Sequence, residues 1–189
     1  MESTKTRILK KLLETDGYLS GQELCEQLGV SRTAVWKYMK QLKEEGYEIE
    51  AVQNKGYCLK DVPDVLGESE IKSRLHTRWA GQTLYYYDEI DSTNTQIKRL
   101  AEEDAPHGTL AVADYHSRGK GRRGRAWDSP HGSAIYMSIL FRPEIRPDRA
   151  SMLTLVIGLS VTQAIRSNLG LQAQIKWPND VVLNGKKLV

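Results

Sequence analysis

The sequence predicts an α+β protein in two parts: a small helical unit closed by a hairpin, then a larger mixed or antiparallel sheet with helices. Three observations carry this. The apolar period is close to 3.6 up to Gly46 and changes to 2 beyond it. The stretch "KDVPDVLGE", with Pro63 and Gly67, marks a linker between the parts. From Thr83 onward, strand-like runs alternate with helical ones, and 189 residues give room for a small domain followed by a larger one.

In the first part, Ile8, Leu9, Leu12 and Leu13 recur at helical spacing. Ser20 followed by Glu23 has the spacing of a capping box, and Gly29 ends a short helix through Leu24 and Leu28. Ser31 is then the expected N-cap of a third helix running to about Glu45. Val35, Met39 and Leu42 form its inward stripe, and Trp36 is expected half in the core and half at the surface. "YEIEAV" and "GYCLK" read as two strands joined across Gln53 to Gly56. Helix, helix, short turn, helix and hairpin is the order of a winged helix-turn-helix, which presents its third helix to the major groove and its hairpin tip to a neighbouring phosphate or minor groove. On this reading Lys37, Lys40 and Lys55 position phosphates, Arg32 and Thr33 face base edges, and Ser31 and Trp36 complete the candidate DNA-binding set. The plainer alternative is an interaction module with solvated lysines.

In the second part a helix is expected from about Glu68 to Leu75, followed by strands in "TLYYYDEI", "GTLAVADY" and "SAIYMSILFRP". The segment Asp148 to Leu169 carries Met152, Leu155, Val156, Leu159 and Ile165 on a broad apolar face, so a buried or half-buried helix is expected there. "AQIKW" and "VVLNGKKLV" follow, with Asn184–Gly185 as the strongest hairpin turn in the sequence. The expected domains are a winged helix over 1–61, a linker with the start of a helix over 62–72, and a ligand-binding domain over 73–189. The chain stops at Val189 inside an apolar run, which reads as a fragment whose continuation completes the sheet.

A net charge of +3 does not by itself imply a nucleic-acid partner. Cys25 and Cys58 stand far apart without a CxxC partner, which suits a free-thiol cytoplasmic protein and sets a structural zinc site aside. The opening thirty residues are charged and show no signal peptide. The longest apolar stretch, around Met152 to Val161, is broken by Thr154, Gly158 and Ser160, so no membrane partner is expected.

Three stretches of the second part carry chemistry. In "DSTN", Ser92 or Thr93 can cap a helix starting at Asn94, and hydroxyls beside free helix-start amides cradle a polar ligand group; the alternative is a cap and nothing more. "HSRGKGRRGRAW" packs five Lys or Arg and three Gly into twelve positions with no acid. Gly119, Gly121 and Gly124 let backbone amides approach a ligand, while Lys120, Arg122, Arg123 and Arg125 compensate a polyanion. His116 and Trp127 stand at its edges, the indole available to stack on a base or to pack in the core. The stretch lacks the Walker spacing. A nucleic-acid patch remains the rival reading, but the position between two apolar strands favours a small-molecule loop. In "KWPND", Pro178 and Asn179 break the chain between strands, Lys176 and Asp180 flank the break, and Lys187 returns opposite it. Two lysines and a carboxylate there can steady a negatively charged acyl and phosphoryl centre.

Taken in order behind a winged helix, "DSTN", "GRRGRAW" and "KWPND…NGKK" resemble the biotin–protein ligases that double as biotin operon repressors, along the whole of this chain. The resemblance implies a sheet domain like that of class II aminoacyl-tRNA synthetases. It also implies activation of biotin by ATP, as Mg-ATP, to biotinyl-5′-AMP. Biotin then passes to a lysine of the biotin carboxyl carrier domain of acetyl-CoA carboxylase. The adenylate-bound form pairs as a homodimer on operator DNA. By the same resemblance, Ser92, Thr93 and Asn94 hold the biotin ureido group and Trp127 lies near the adenine. Lys120 and Arg122 serve the intermediate, and Lys187 reaches the carboxylate and the adenylate linkage; Lys176 and Asp180 join the candidate catalytic set. Adenylation adds charge to the α-phosphate oxygens, which pre-aimed cations stabilise. No dedicated metal site is expected. This chain departs from the pattern at His116, where many members have Gln, and at Arg118 and Lys120, where Ala or Ser and Arg are usual. Two rivals stand beside this reading: a DNA-binding ligand sensor without catalysis, and a ligase for lipoate or another acid. Against the second, the DSTN and GRRGR combination resembles the biotin branch.

Overall fold

A computed structural model describes residues 3–121 and 127–188. Arg122, Arg123, Gly124 and Arg125 of the basic stretch lie outside the described residues. The chain divides into two compact units, Met1–Arg142 and Pro143–Val189.

The first unit opens with helices α1 (Thr4–Glu14), α2 (Gly21–Leu28) and α3 (Arg32–Glu44), followed by strands β1 (Glu48–Val52) and β2 (Gly56–Asp61). Ser3 and Ser31 cap α1 and α3 through their hydroxyls, accepting from the Thr6 and Ala34 amides. Ser20 caps α2 by accepting from Gln22, while Glu23 accepts from the Gln27 side chain, so the reciprocal bond of a capping box is replaced by a pair along the helix surface. Gly29 ends α2 in the left-handed conformation, its amide bonded to the Cys25 carbonyl. Ile8, Leu9, Leu12, Leu24, Val35, Met39, Leu42, Tyr47 and Ile49 form one apolar core under the hairpin. β1 and β2 pair antiparallel, and the wing is pinned to the helices where Leu19 and Tyr57 exchange backbone bonds of 2.7 and 2.9 Å. Gly56 (φ 110°) sits at that junction, where a Cβ would meet the Leu19 carbonyl. The winged helix-turn-helix is therefore present as expected, with one correction. Trp36 is 60% exposed rather than half buried, since it lies one position past the inward stripe begun by Val35.

After α4 (Glu68–Ser73) come β3 (Leu84–Ile90), α5 (Thr93–Glu102), β4 (Leu110–His116) and β5 (Tyr136–Ile139). β3 and β4 are parallel, with α5 as the crossover, and β5 adds antiparallel to the other edge of β4. The sheet is thus mixed. β5 is much shorter than the apolar run "SAIYMSILFRP", because it pairs with β4 only between Ala113 and Leu110. The central strand β4 is buried from Leu110 to Ala113. Ile97 and Leu100 of α5 pack on one face with Ala111, while Leu84 and Val112 build a second cluster. α4 is tied to the connection between α3 and β1 by the Tyr47 hydroxyl donating to Glu70 at 2.6 Å.

The second unit holds α6 (Met152–Leu169) and a three-stranded antiparallel sheet of β6 (Gln174–Lys176), β7 (Asp180–Leu183) and β8 (Lys186–Lys187). Asn184 (φ 50°) and Gly185 (φ 78°) make the β7–β8 turn in the left-handed conformation such hairpins need. The helix forms where its pattern predicts, but not with the expected burial: Met152, Leu155, Val156 and Leu159 are exposed, and Thr162 is the buried residue. Within this unit, three strands of two to four residues are too short to cover an apolar helix of 18. Among the described residues, no helix is long and apolar enough to cross a membrane, and no group of His, Cys, Asp and Glu could hold a metal ion.

Candidate functional site

The parallel pairing of β3 with β4 brings "DSTN" and the start of the basic stretch to one end of the first unit's sheet. β3 ends at Ile90, level with His116 on β4. The pairing then continues into the loop: the Ser117 amide donates to the Ile90 carbonyl (2.9 Å) and the Arg118 amide to the Asp91 carbonyl (3.0 Å). The ligand-binding residues expected from these two stretches, as far as they are described, therefore share one region. The carboxyl ends of parallel strands are a common place for ligand crevices.

α5 starts at Thr93, one residue earlier than expected, and Ser92 sits at its N-cap without a capping side-chain bond. Neighbours serve the first amides instead. Asp91 Oδ1 accepts from the Ser92 N–H at 2.8 Å, and His116 Nε2 accepts from the Thr93 N–H at 3.2 Å. The Ser92 and Thr93 residues are buried, Asn94 is exposed, and the Thr93 hydroxyl accepts from Ser138 of β5 at 3.0 Å. Since Nε2 is an acceptor, the neutral imidazole carries its hydrogen on Nδ1. Burial holds the His116 pKa below its ordinary value, against the opposing pull of the Asp91 carboxylate. Asp91 is itself held below the usual carboxylate range, chiefly by hydrogen bonding from Arg99, whose Nη2 lies 2.7 Å away.

The described ends of the basic stretch meet in a neck just beyond β4. The Trp127 amide donates to the Gly119 carbonyl at 3.1 Å, and a Cβ on Gly119 would meet the Trp127 carbonyl and the Ser129 hydroxyl. Ser129 is buried at the neck, while Trp127 is 43% exposed. Lys120 is exposed beside Gly121. Past the neck, the Asp114 carboxylate accepts from the Gly132 amide (3.2 Å) and pairs with His131 Nδ1 (2.8 Å). The His116 and Tyr136 rings approach to 5.0 Å.

The second unit assembles the other candidate group. Lys176 and Asp180 face each other in the β6–β7 register, across the break at Pro178 and Asn179. Lys187 on β8 donates to Asp180 Oδ1 at 2.7 Å, and Asn179 Nδ2 donates to the same oxygen at 2.9 Å. The Lys187 side chain is 43% exposed, so its ion pair is accessible to a ligand at modest cost.

Asp91, Arg99, Ser129 and Ser138 were not singled out from the sequence. Asp91 stood inside "DSTN" and could have been read as a partner for the Ser92 amide. Ser138 was a lone hydroxyl in an apolar strand. Arg99 and Ser129 carried no local signal. On the winged helix, Arg32, Thr33, Trp36, Lys37 and Lys40 share the exposed side of α3, with Ser31 exposed at its cap and Lys55 exposed on the wing.

Comparison with known proteins agrees with both parts. A family described as HTH domain matches residues 4–58, and the Biotin/lipoate A/B protein ligase family matches residues 86–189. The "Bifunctional ligase/repressor BirA" of Bacillus spizizenii is 46% identical over 100% of this chain and 59% of its own length. The protein of the same name from Escherichia coli is 35% identical over 94% of this chain and 54% of its own. A solved structure, "Biotin protein ligase from Aquifex aeolicus in complex with biotin and ATP", is similar over 56% of this chain and 44% of its own, with 38% identity and a TM-score of 0.49. The chain thus spans less than two thirds of the length of these relatives. It belongs to the biotin/lipoate A/B protein ligase family.

Proposed function

We propose that the full-length protein is a biotin–protein ligase that also represses transcription by binding operator DNA. In the first step an oxygen of the biotin carboxylate attacks the α-phosphorus of ATP. The bond to pyrophosphate breaks, and biotinyl-5′-AMP remains. In the second step the ε-amine of a lysine on a biotin carboxyl carrier domain of acetyl-CoA carboxylase attacks the acyl carbon, and AMP leaves. Mg²⁺ accompanies ATP as part of the substrate.

The observation that carries this reading is the convergence of the α5 start with the mouth of the glycine-rich basic stretch. A ureido group is neutral and polar at every edge, so burying it requires paired donors and acceptors. Ser92, Thr93 and Asn94, with the neutral His116 ring against the Thr93 amide, are the groups assigned to it. The adjoining Gly119, Lys120 and Gly121 offer amides and charge for phosphate, with Arg122, Arg123 and Arg125 continuing the same stretch and Trp127 presenting a ring to the base. Lys187 is assigned to the carboxylate and the adenylate linkage. Asp180 orients it, and Lys176 adds charge beside them. The domains assigned are 1–61 for DNA, 62–72 as linker and 73–189 for biotin and ATP. On DNA, Ser31, Arg32, Thr33, Trp36, Lys37, Lys40 and Lys55 face the duplex, and two adenylate-bound copies occupy one operator.

Biotin-dependent exchange of labelled pyrophosphate into ATP tests the first step. The full-length protein is expected to catalyse it, and Lys187→Ala to lose at least about a hundredfold, as removal of a transition-state charge partner does. Equal exchange by both proteins would remove Lys187 from the mechanism.

A further inference from the structure

The outer side of α3 holds a side chain that phosphate contact does not explain. Trp36 is 60% exposed, on a helix whose other exposed residues are Arg32, Thr33, Lys37, Lys40, Lys43 and, at its end, Glu44. A single exposed apolar residue is ordinary on a protein surface. An indole at the centre of a basic face is less so, because that face selects a polyanion and the ring would contribute no charge to it. Two of its neighbours also make exposed contacts within the protein. The Arg32 guanidinium donates sideways to Gln22 Oε1 at 2.7 Å, and Gln22 Nε2 in turn donates to Glu26 at 2.7 Å. Lys40 lies 3.7 Å from Glu44. Trp36 stands at the middle of the face, one position from Lys37 and four from Arg32 and Lys40.

In the major groove the apolar feature that differs between base pairs is the thymine 5-methyl group. We infer that Trp36 reads thymine, seating its ring against that methyl while the flanking lysines hold phosphates. This rests on the DNA-binding reading above and deepens it by assigning one base and one contact atom.

The test uses a duplex enriched from a random library by the full-length wild-type protein with biotin and ATP present. Each thymine is replaced in turn by deoxyuridine, which removes only the methyl. The wild-type protein is expected to lose about fourfold in affinity at one position per half-site, the value of a buried methyl group. Trp36→Ala should lose nothing further there and Trp36→Leu should retain part of the discrimination, the readout in each protein being its own ratio of thymine to uracil affinity, whatever its overall affinity for DNA. Uracil that costs the wild-type protein nothing, or costs Trp36→Ala the same, overturns the inference and leaves DNA binding intact. A wild-type protein that enriches no sequence and shows no salt-dependent affinity for duplex DNA overturns the DNA-binding reading itself.

Discussion

The starts of α3 and α5 look alike in sequence, each with a serine at the N-cap, yet they are completed in different ways. At α3 the Ser31 hydroxyl accepts from the Ala34 amide, and the helix is finished by its own residues. At α5 the Ser92 hydroxyl makes no capping bond. The first amides are served by Asp91 and by His116, which lies 23 residues further on at the end of β4. A helix start capped by itself can fold and move as a unit. One whose amides are held by a neighbouring strand is coupled to that strand, so binding at either is felt at both.

The largest effect is expected at the neck just beyond β4. Gly119→Ala places a Cβ against the Trp127 carbonyl, so the neck must shift by a fraction of an ångström or more. Biotin-dependent pyrophosphate exchange is expected to fall about a hundredfold, as displacements of that order do. Asp91→Ala removes the acceptor of the Ser92 amide and the partner of Arg99 together. Calorimetric titration should show biotin affinity reduced about tenfold, roughly the loss of one charge-assisted hydrogen bond.

His116 sharpens the comparison through pH. Its ring is neutral when it accepts from Thr93, and protonation would set a donor against that amide. Burial lowers its folded pKa, so the unfolded chain takes up the proton first. Stability is therefore unpenalised above the unfolded value of about 6.5 and declines as pH falls below it. Biotin affinity should stay level down to that value and decline only at lower pH, as the folded ring takes up its proton, and His116→Gln should flatten that dependence. The smallest effect belongs to the self-contained start. Ser31→Ala should cost about 1 kcal/mol in denaturant unfolding, with biotin affinity unchanged. A loss of biotin affinity there would erase the contrast between the two helices.

Much of the fold was legible because its signals are local. Ser31 with its inward stripe placed α3, and Asn184–Gly185 placed the β7–β8 turn. The burial of α6 was not legible: an apolar helical pattern states what a helix would cover, and the short β6–β8 strands do not supply the covering surface. At the site, the residue types of "DSTN" and the glycine-rich stretch indicated polar ligand contacts. The bond from Thr93 to His116 depends on the parallel β3–β4 register, which no spacing in the sequence encodes. Lys176, Asp180 and Lys187 were legible as neighbours because one tight turn and one break bring them together.

Hydrogen exchange measured by mass spectrometry on peptides covering Asp91–Gln96 and His116–Gly121 tests the central claim most directly. Biotin with ATP should slow exchange in both segments together, while a DNA duplex without them should slow it along Ser31–Lys40 and leave the two segments unchanged. Protection of His116–Gly121 by DNA alone, with no response to biotin and ATP, would contradict the account.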